Sequence, residues 1–175
     1  NLLTSIEIAS SYHNDKPVVP ETALYFEYHL FRGNRTIKVN AELFKAFLSP
    51  NYPKLGEAGV HLNFNYRYIA DMRPYKPALY DKMCTDVAIL KLYPGISQAV
   101  VEAVLNTPNL KGLIMETFGT GNASTEKWFI DALDQKIKEG LFVANVTQCI
   151  SGSVDQGRYE TSTAFNQIGI IPADD

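Results

Sequence analysis

Apolar residues at Leu2, Leu3, Ile6 and Ala9 recur at helical spacing, and the two prolines of the segment 14–20 stop the pattern. A short opening helix followed by a loop is the expectation. The stretch Thr22-Ala-Leu-Tyr-Phe-Glu-Tyr-His-Leu-Phe31 is apolar on both alternating faces, the signature of a strand buried between two helical layers of a parallel sheet. It runs into the polar loop 32–38. A short helix carrying Leu43, Phe44 and Phe47 is expected next, broken by Ser49-Pro50-Asn51. From Leu62 to Ile69 the pattern alternates, with Leu62, Phe64, Tyr66 and Tyr68 facing one way. Asn63, Asn65 and Arg67 face the other, as in a half-exposed strand or hairpin.

Residues 71–77 hold two prolines and several charges and form the best candidate for a linker. Beyond them the grammar is regular. Segment 86–93 is a predicted strand, and Pro94-Gly95 a turn. Ser97 is a predicted N-cap, with Ile96 and Val101 placed as a hydrophobic staple. The helix to Leu105 is expected to bury Val100, Val101 and Val104. Segment 112–118 is a strand and is followed by a glycine-bearing loop. A helix over 125–139 then lines Ile130, Leu133 and Ile137 on one face, with Gly140 at C′. Segment 141–147 is a third strand. Strands alternating with helices through short connections imply a parallel sheet with right-handed crossovers.

Composition narrows the function classes. The 175 residues are 46% hydrophobic and 20% charged, enough to build a core, with a formal net charge of −3. A mildly acidic chain is a poor polyanion binder, because nucleic-acid affinity is built from Lys and Arg neutralising phosphates. No apolar run approaches the ~18–20 residues of a membrane span, and this stretch contains no basic region followed by an apolar one of the kind a secretory signal has. Asn1 opens the chain in place of Met, and the pattern starts and stops abruptly, as expected of a piece of a longer protein.

Cys84 and Cys149 are too few for a disulfide framework, lack metal-ligand spacing, and are expected to be buried reduced thiols. His13, His29 and His61 stand apart from any Cys or carboxylate cluster, so no metal site is expected. Three N-glycosylation triplets, at Asn34, Asn122 and Asn145, are read as chance matches.

In open α/β sheets, ligands gather at the C-terminal ends of strands. The loops at 32–38, 119–124 and 147–152 occupy such ends. Gly119-Thr-Gly-Asn-Ala-Ser124 comes close to the dinucleotide fingerprint. However, Ser124 replaces the third glycine, and the ribose-binding acid is missing where Val146, Thr147 and Gln148 stand. Glycines easing a tight turn account for Gly119 and Gly121 but not for Asn122, which could offer its amide to an anionic or zwitterionic ligand near a helix N-terminus. Lys38 lies in a donor-rich loop. It is either a solvated charge or, if desolvated, an amine able to take or relay a proton. Arg32 and Arg35 are read as local salt-bridge or carbonyl-binding partners.

Taken in order, several segments resemble the bacterial cytoplasmic (type I) L-asparaginase family. They are Arg32-Gly-Asn-Arg-Thr-Ile-Lys38, Leu55-Gly-Glu-Ala-Gly59, Leu92-Tyr-Pro-Gly-Ile-Ser97, Glu116-Thr-Phe-Gly-Thr-Gly-Asn-Ala123 and Asn145-Val-Thr-Gln-Cys149. The resemblance implies an α/β fold in two parts: residues 1–70 as the end of a parallel-sheet, flavodoxin-like N-terminal domain, and 86–175 as part of a smaller Rossmann-like three-layer C-terminal domain. Residues 71–85 would join them. It further implies hydrolysis of L-asparagine to L-aspartate and ammonia in the cytoplasm, without metal or organic cofactor, by a dimer or dimer of dimers. Neither nucleic acid nor membrane is an expected partner.

The family's nucleophilic threonine, second threonine and aspartate would lie upstream of Asn1. Lys38 maps onto its proton-handling lysine, expected to be shielded from water beside that acid and hydroxyl. Asn122 maps onto the asparagine extended toward a neighbouring subunit's active site. Some relatives bind a second asparagine as effector through a Thr and an Arg at positions that here hold Ile37 and Glu116, and Cys149 is the one retained member of that set. Control of that kind is therefore expected to be absent. A non-catalytic ligand-binding module and a subunit of a tRNA-dependent amidotransferase are the competing readings.

Overall fold

The computed structural model describes residues 1–72, 78–157 and 160–173. The chain divides into two compact units, Asn1–Ala78 and Leu79–Asp175. Of the expected 71–85 linker, residues 73–77 lie outside the described residues.

The first unit begins with α1 (Leu2–Ala9). Leu2, Leu3 and Ile6 are exposed on it, and Ile8 enters the core with Leu30 and Leu55. Within 14–20, a tight reversal at Asn14-Asp15, both in the left-handed region, pairs β1 (Tyr12–His13) with β2 (Lys16–Pro17). Asn and Asp tolerate that conformation because their short polar side chains bond locally.

The single buried strand expected over 22–31 is a hairpin instead. β3 (Ala23–Phe26) and β4 (His29–Arg32) run antiparallel, in register Tyr25↔Leu30 and Phe26↔His29. The chain reverses at Glu27-Tyr28, where φ is +45° and +66°. Two positive-φ residues make the primed turn that matches strand twist. β4 continues the sheet to β7 (Gly56–Ala58) and β8 (Leu62–Phe64), all antiparallel. Only the first part of the alternating 62–69 segment is strand; beyond it a turn closes with the Tyr68 amide donating to the Asn65 carbonyl at 2.9 Å.

The helix expected around Leu43–Phe47 does not form. Asn40 Oδ1 accepts from the amides of Glu42 and Leu43, both at 2.8 Å, in a side-chain turn that competes with helix start. Phe47 then pairs with Lys38, joining β5 (Ile37–Lys38) to β6 (Phe47–Leu48), and its ring meets Phe26 edge-on at 5.1 Å.

The second unit follows the strand–helix grammar. β9 (Val87–Lys91), β10 (Gly112–Thr117), β11 (Phe142–Thr147) and β12 (Ile171–Pro172) form one parallel sheet in the order β12-β11-β10-β9. α2 (Gln98–Leu105) starts at Ser97, whose hydroxyl accepts from the Val100 amide at 3.4 Å. It buries Val101 and Leu105 and leaves Val100 exposed, a rotation of the expected face. α3 (Lys127–Lys138) starts two residues later than expected, and Phe129 and Leu133 are its fully buried side chains. Gly140 ends it at φ +102°. The Gly140 amide bonds to the Ile137 carbonyl at 2.9 Å, and the Leu141 amide to the Lys136 carbonyl at 2.9 Å, a Schellman closure. α4 (Glu160–Ile168) and β12 have no counterpart among the predicted elements.

One core joins Leu90, Leu113, Met115 and Val143 of the sheet to Val101, Phe129 and Phe165 of the three helices. The helices pack on one face of this parallel sheet, in keeping with the expected Rossmann-like α/β architecture. On the opposite face Val87, Ile89 and Phe142 are exposed. Among the described residues no helix is long and apolar enough to cross a membrane.

Tyr28 is 67% exposed in a conformation that costs an L-residue roughly 1 kcal/mol. Tyr28→Gly should therefore raise stability by up to about 1 kcal/mol. An unchanged or lower urea midpoint would count against strain at this turn.

Candidate active site

In the first unit, Arg32 is locked at the end of β4. Its Nε donates to Glu21 Oε2 at 2.5 Å and its Nη2 to the Tyr68 carbonyl at 3.1 Å. The guanidinium lies 4.3 Å from the Tyr52 ring centroid. Glu21 Oε1 accepts in turn from the Ala70 amide at 2.6 Å. The Glu21 hydrogen bond raises the Arg32 pKa further above its ordinary value. This is the salt-bridge and carbonyl-binding role expected of Arg32. It fixes the exit of β4, after which a single 3₁₀ turn (Gly33–Arg35) leads into β5. The Thr36 hydroxyl closes that turn by donating to the Arg32 carbonyl at 2.6 Å.

Lys38, at the end of β5, thus follows a turn braced by hydrogen bonds at Arg32 and Thr36. Its side chain is exposed, as are Ile37 and Val39 beside it. The described residues of this unit do not supply the shielding from water expected around the Lys38 amine.

In the second unit, the strand ends of β10 and β11 carry the glycine loop. The loop does not open directly into a helix. Phe118 and Asn122 pair as an antiparallel bridge, the Phe118 amide donating to the Asn122 carbonyl and the Asn122 amide to the Phe118 carbonyl, each at 2.8 Å. Asn122 therefore sits at the base of a tight reversal four residues ahead of the α3 N-cap, Glu126, and not at a helix N-terminus. The α3 start is held differently: Ser124 Oγ accepts from the Glu126 amide at 3.2 Å, and Trp128 Nε1 donates to the Glu126 carboxylate.

Beneath the loop lies a polar cluster that the sequence does not announce. Thr117 and Asn145 are fully buried. The Thr117 hydroxyl donates to Asn145 Oδ1 at 2.6 Å. Asn145 Nδ2 donates to the Gly121 carbonyl at 3.3 Å and to Gln156 Oε1 at 3.1 Å. Gln156 Nε2 reaches Asn166 Oδ1 at 2.7 Å and the Ile170 carbonyl at 2.8 Å. At the loop's other edge the Thr147 hydroxyl donates to the Gly119 carbonyl at 2.5 Å. The available signal was parity: Asn145 follows Val143 by two residues and so shares its inward face. Asn145 has no exposed surface in the fold on which a glycan could sit.

Cys149 is exposed just past β11, and Cys84 is exposed as well, which corrects the expectation of buried thiols. Cys149 follows a turn in which its amide donates to Thr147 Oγ1 at 3.0 Å. Glu116 pairs with Lys91 at 3.1 Å across neighbouring strands. Gln148 Nε2 donates to the carbonyls of Leu92 and Glu116 at 2.6 and 2.9 Å. A cleft of about 270 Å³ opens at this end of the sheet, with Tyr93, Pro94 and Ile96 on one side and Phe118, Ser124 and Trp128 on the other. No group of three or more His, Cys, Asp or Glu suited to a metal ion occurs among the described residues.

These two loops, one per unit, belong to a recognisable pair of domains. Residues 1–70 match the model "Asparaginase, N-terminal", and residues 86–175 match "Glutaminase/Asparaginase C-terminal domain". The chain belongs to the asparaginase family. L-asparaginase 1 of Escherichia coli K12 is 37% identical over 171 residues, 98% of this chain and 49% of the relative. The 60 kDa lysophospholipase of Mus musculus is 38% identical over 172 residues, 98% of this chain and 29% of that protein. Among solved structures, L-asparaginase I of Vibrio cholerae superposes with a TM-score of 0.85 at 34% identity, covering 98% of this chain and 50% of that one. The chain thus spans about half the length, or less, of these asparaginase-family relatives.

Gly121 is the tightest point of the loop. Its φ is +109°, and a Cβ there would stand 2.7 Å from Val154 Cγ1 and 3.1 Å from Asn145 Nδ2. Gly121→Ala should cost about 2 kcal/mol or more in chemical denaturation. Gly59→Ala, at a position with open space around it, is the control and should stay within about 0.5 kcal/mol of the parent. Equal effects at the two positions would refute the close packing around Gly121.

Proposed function

We propose that the full-length protein is a cytoplasmic amidohydrolase that converts L-asparagine to L-aspartate and ammonia, and that it works as a dimer or dimer of dimers. The observation that carries the proposal is the matching of both asparaginase domains in order along one chain. Lys38 and Asn122 lie on the segments by which this sequence resembles the type I enzymes. Residues 71–85 join the two domains in this reading.

Acyl transfer from a hydroxyl requires a base for its proton and donors for the oxyanion. In the proposed reaction a threonine upstream of Asn1 attacks the side-chain amide carbon, and its proton passes to a Thr–Asp–Lys group that includes Lys38. Ammonia leaves, and water releases aspartate. Lys38 requires a neighbouring carboxylate and exclusion of water to act in this way. The upstream half supplies both, covering the exposed side of β5. Asn122 offers its amide to the substrate bound by a neighbouring subunit. No cofactor takes part. An effector asparagine lacks its cationic anchor, because the carboxylate of Glu116, held by Lys91, stands in that place. Cys149 remains as a relic of that second site.

Lys38→Met in the full-length protein should lower kcat by ~10²-fold or more. A solvated lysine would leave kcat nearly unchanged, and that result would remove Lys38 from the mechanism. Asn122→Ala should act mainly on KM, and mixed oligomers should show the defect in trans. A preference for glutamine over asparagine together with a stable hetero-complex would favour the amidotransferase reading instead.

A further inference from the structure

The main chain of Asn122 is paired with Phe118, and the path of residues 119–122 sets where the residue leaves the loop. Besides the Gly121 amide on the Phe118 carbonyl at 3.1 Å and the Asp155 amide on the Thr120 carbonyl at 3.0 Å, three anchors fix that path. The first is the reciprocal pairing of Phe118 with Asn122. The second is the Thr147 hydroxyl on the Gly119 carbonyl. The third is the buried amide of Asn145 on the Gly121 carbonyl, one residue before Asn122. The first two lie at half-exposed or exposed positions where water can substitute for a lost partner. The third cannot be replaced in that way, because Asn145 is fully buried. Its position is itself over-determined: Thr117 holds Oδ1, Gln156 shares Nδ2, and the sheet holds the backbone through the β11–β12 register Asn145↔Pro172.

We propose that Asn145 is a positioning residue of the reaction, acting through Asn122. Its carboxamide sets the Gly121 carbonyl and with it the angle at which Asn122 leaves the loop. Thr117 acts one step further back by orienting that carboxamide. The inference rests on the reading that Asn122 meets the substrate. Asn145 itself lies beneath the loop and takes no part in bond making.

The test is a double-mutant cycle in the full-length protein, with L-asparagine kinetics and amide hydrogen exchange read on the same samples. Asn145→Ser is too short to reach the Gly121 carbonyl. It should raise KM about fivefold with little change in kcat, and should speed exchange of the Asn122 amide about tenfold or more. In the Asn122→Ala background the same change should leave KM unaltered. An equal KM effect in both backgrounds, or an unaltered KM and Asn122 exchange rate in Asn145→Ser, would overturn the proposal. If Asn145→Ser does not fold, Thr117→Val carries the same test with Thr117→Ser as the conservative rescue. Should Asn122→Ala by itself leave KM unchanged, the reading of Asn122 falls, and the exchange rates alone then decide whether Asn145 sets the loop.

Discussion

The hydrogen bond between Thr117 and Asn145 joins two neighbouring parallel strands inside a core that is otherwise apolar. Burying a hydroxyl and a carboxamide without partners would cost about 1–3 kcal/mol for each group left unsatisfied. With Oδ1 taken by Thr117, Nδ2 is free to hold both the Gly121 carbonyl and Gln156, and Gln156 holds Asn166 and the Ile170 carbonyl. The glycine loop, the segment after β11 and the end of α4 are thus tied to one point. A purely apolar pair at 117 and 145 could fill the same volume, but it would leave the Gly121 carbonyl without its buried donor.

The first unit solves a similar problem with charge. Arg32 and Glu21 are both largely shielded, and a pair withdrawn from water is sustained only where its remaining donors and acceptors are satisfied. The Tyr68 carbonyl, the Ala70 amide and the Tyr52 ring meet that demand. Segments distant along the chain are thereby fastened at the exit of β4. This knot also fixes the point from which the loop carrying Lys38 departs.

The sequence was most legible where side-chain chemistry itself marks a boundary. Ser97 caps α2, Gly140 closes α3, and β9, β10 and β11 lie within a residue or two of their expected positions. It was least legible where a turn lacks its usual residues. Glu27-Tyr28 reverses the chain without glycine, asparagine or proline, so one long aromatic run concealed two strands of four residues each. The helix expected around Leu43–Phe47 gave way to a local turn made by the Asn40 side chain. The loops bearing Lys38 and Asn122 were visible as ordered motifs. The residues beneath them were not, because a polar side chain in mid-strand is indistinguishable by composition from one facing water.

Pro172 in β12 bears on how copies of this unit meet one another. β12 is an outer strand of the sheet, only two residues long, and its proline has no N–H with which to recruit another chain. The opposite outer strand, β9, is longer and shows Val87 and Ile89 to solvent, yet ends at the charged Lys91. A two-residue edge with a proline in it offers little ladder for a neighbouring strand to extend.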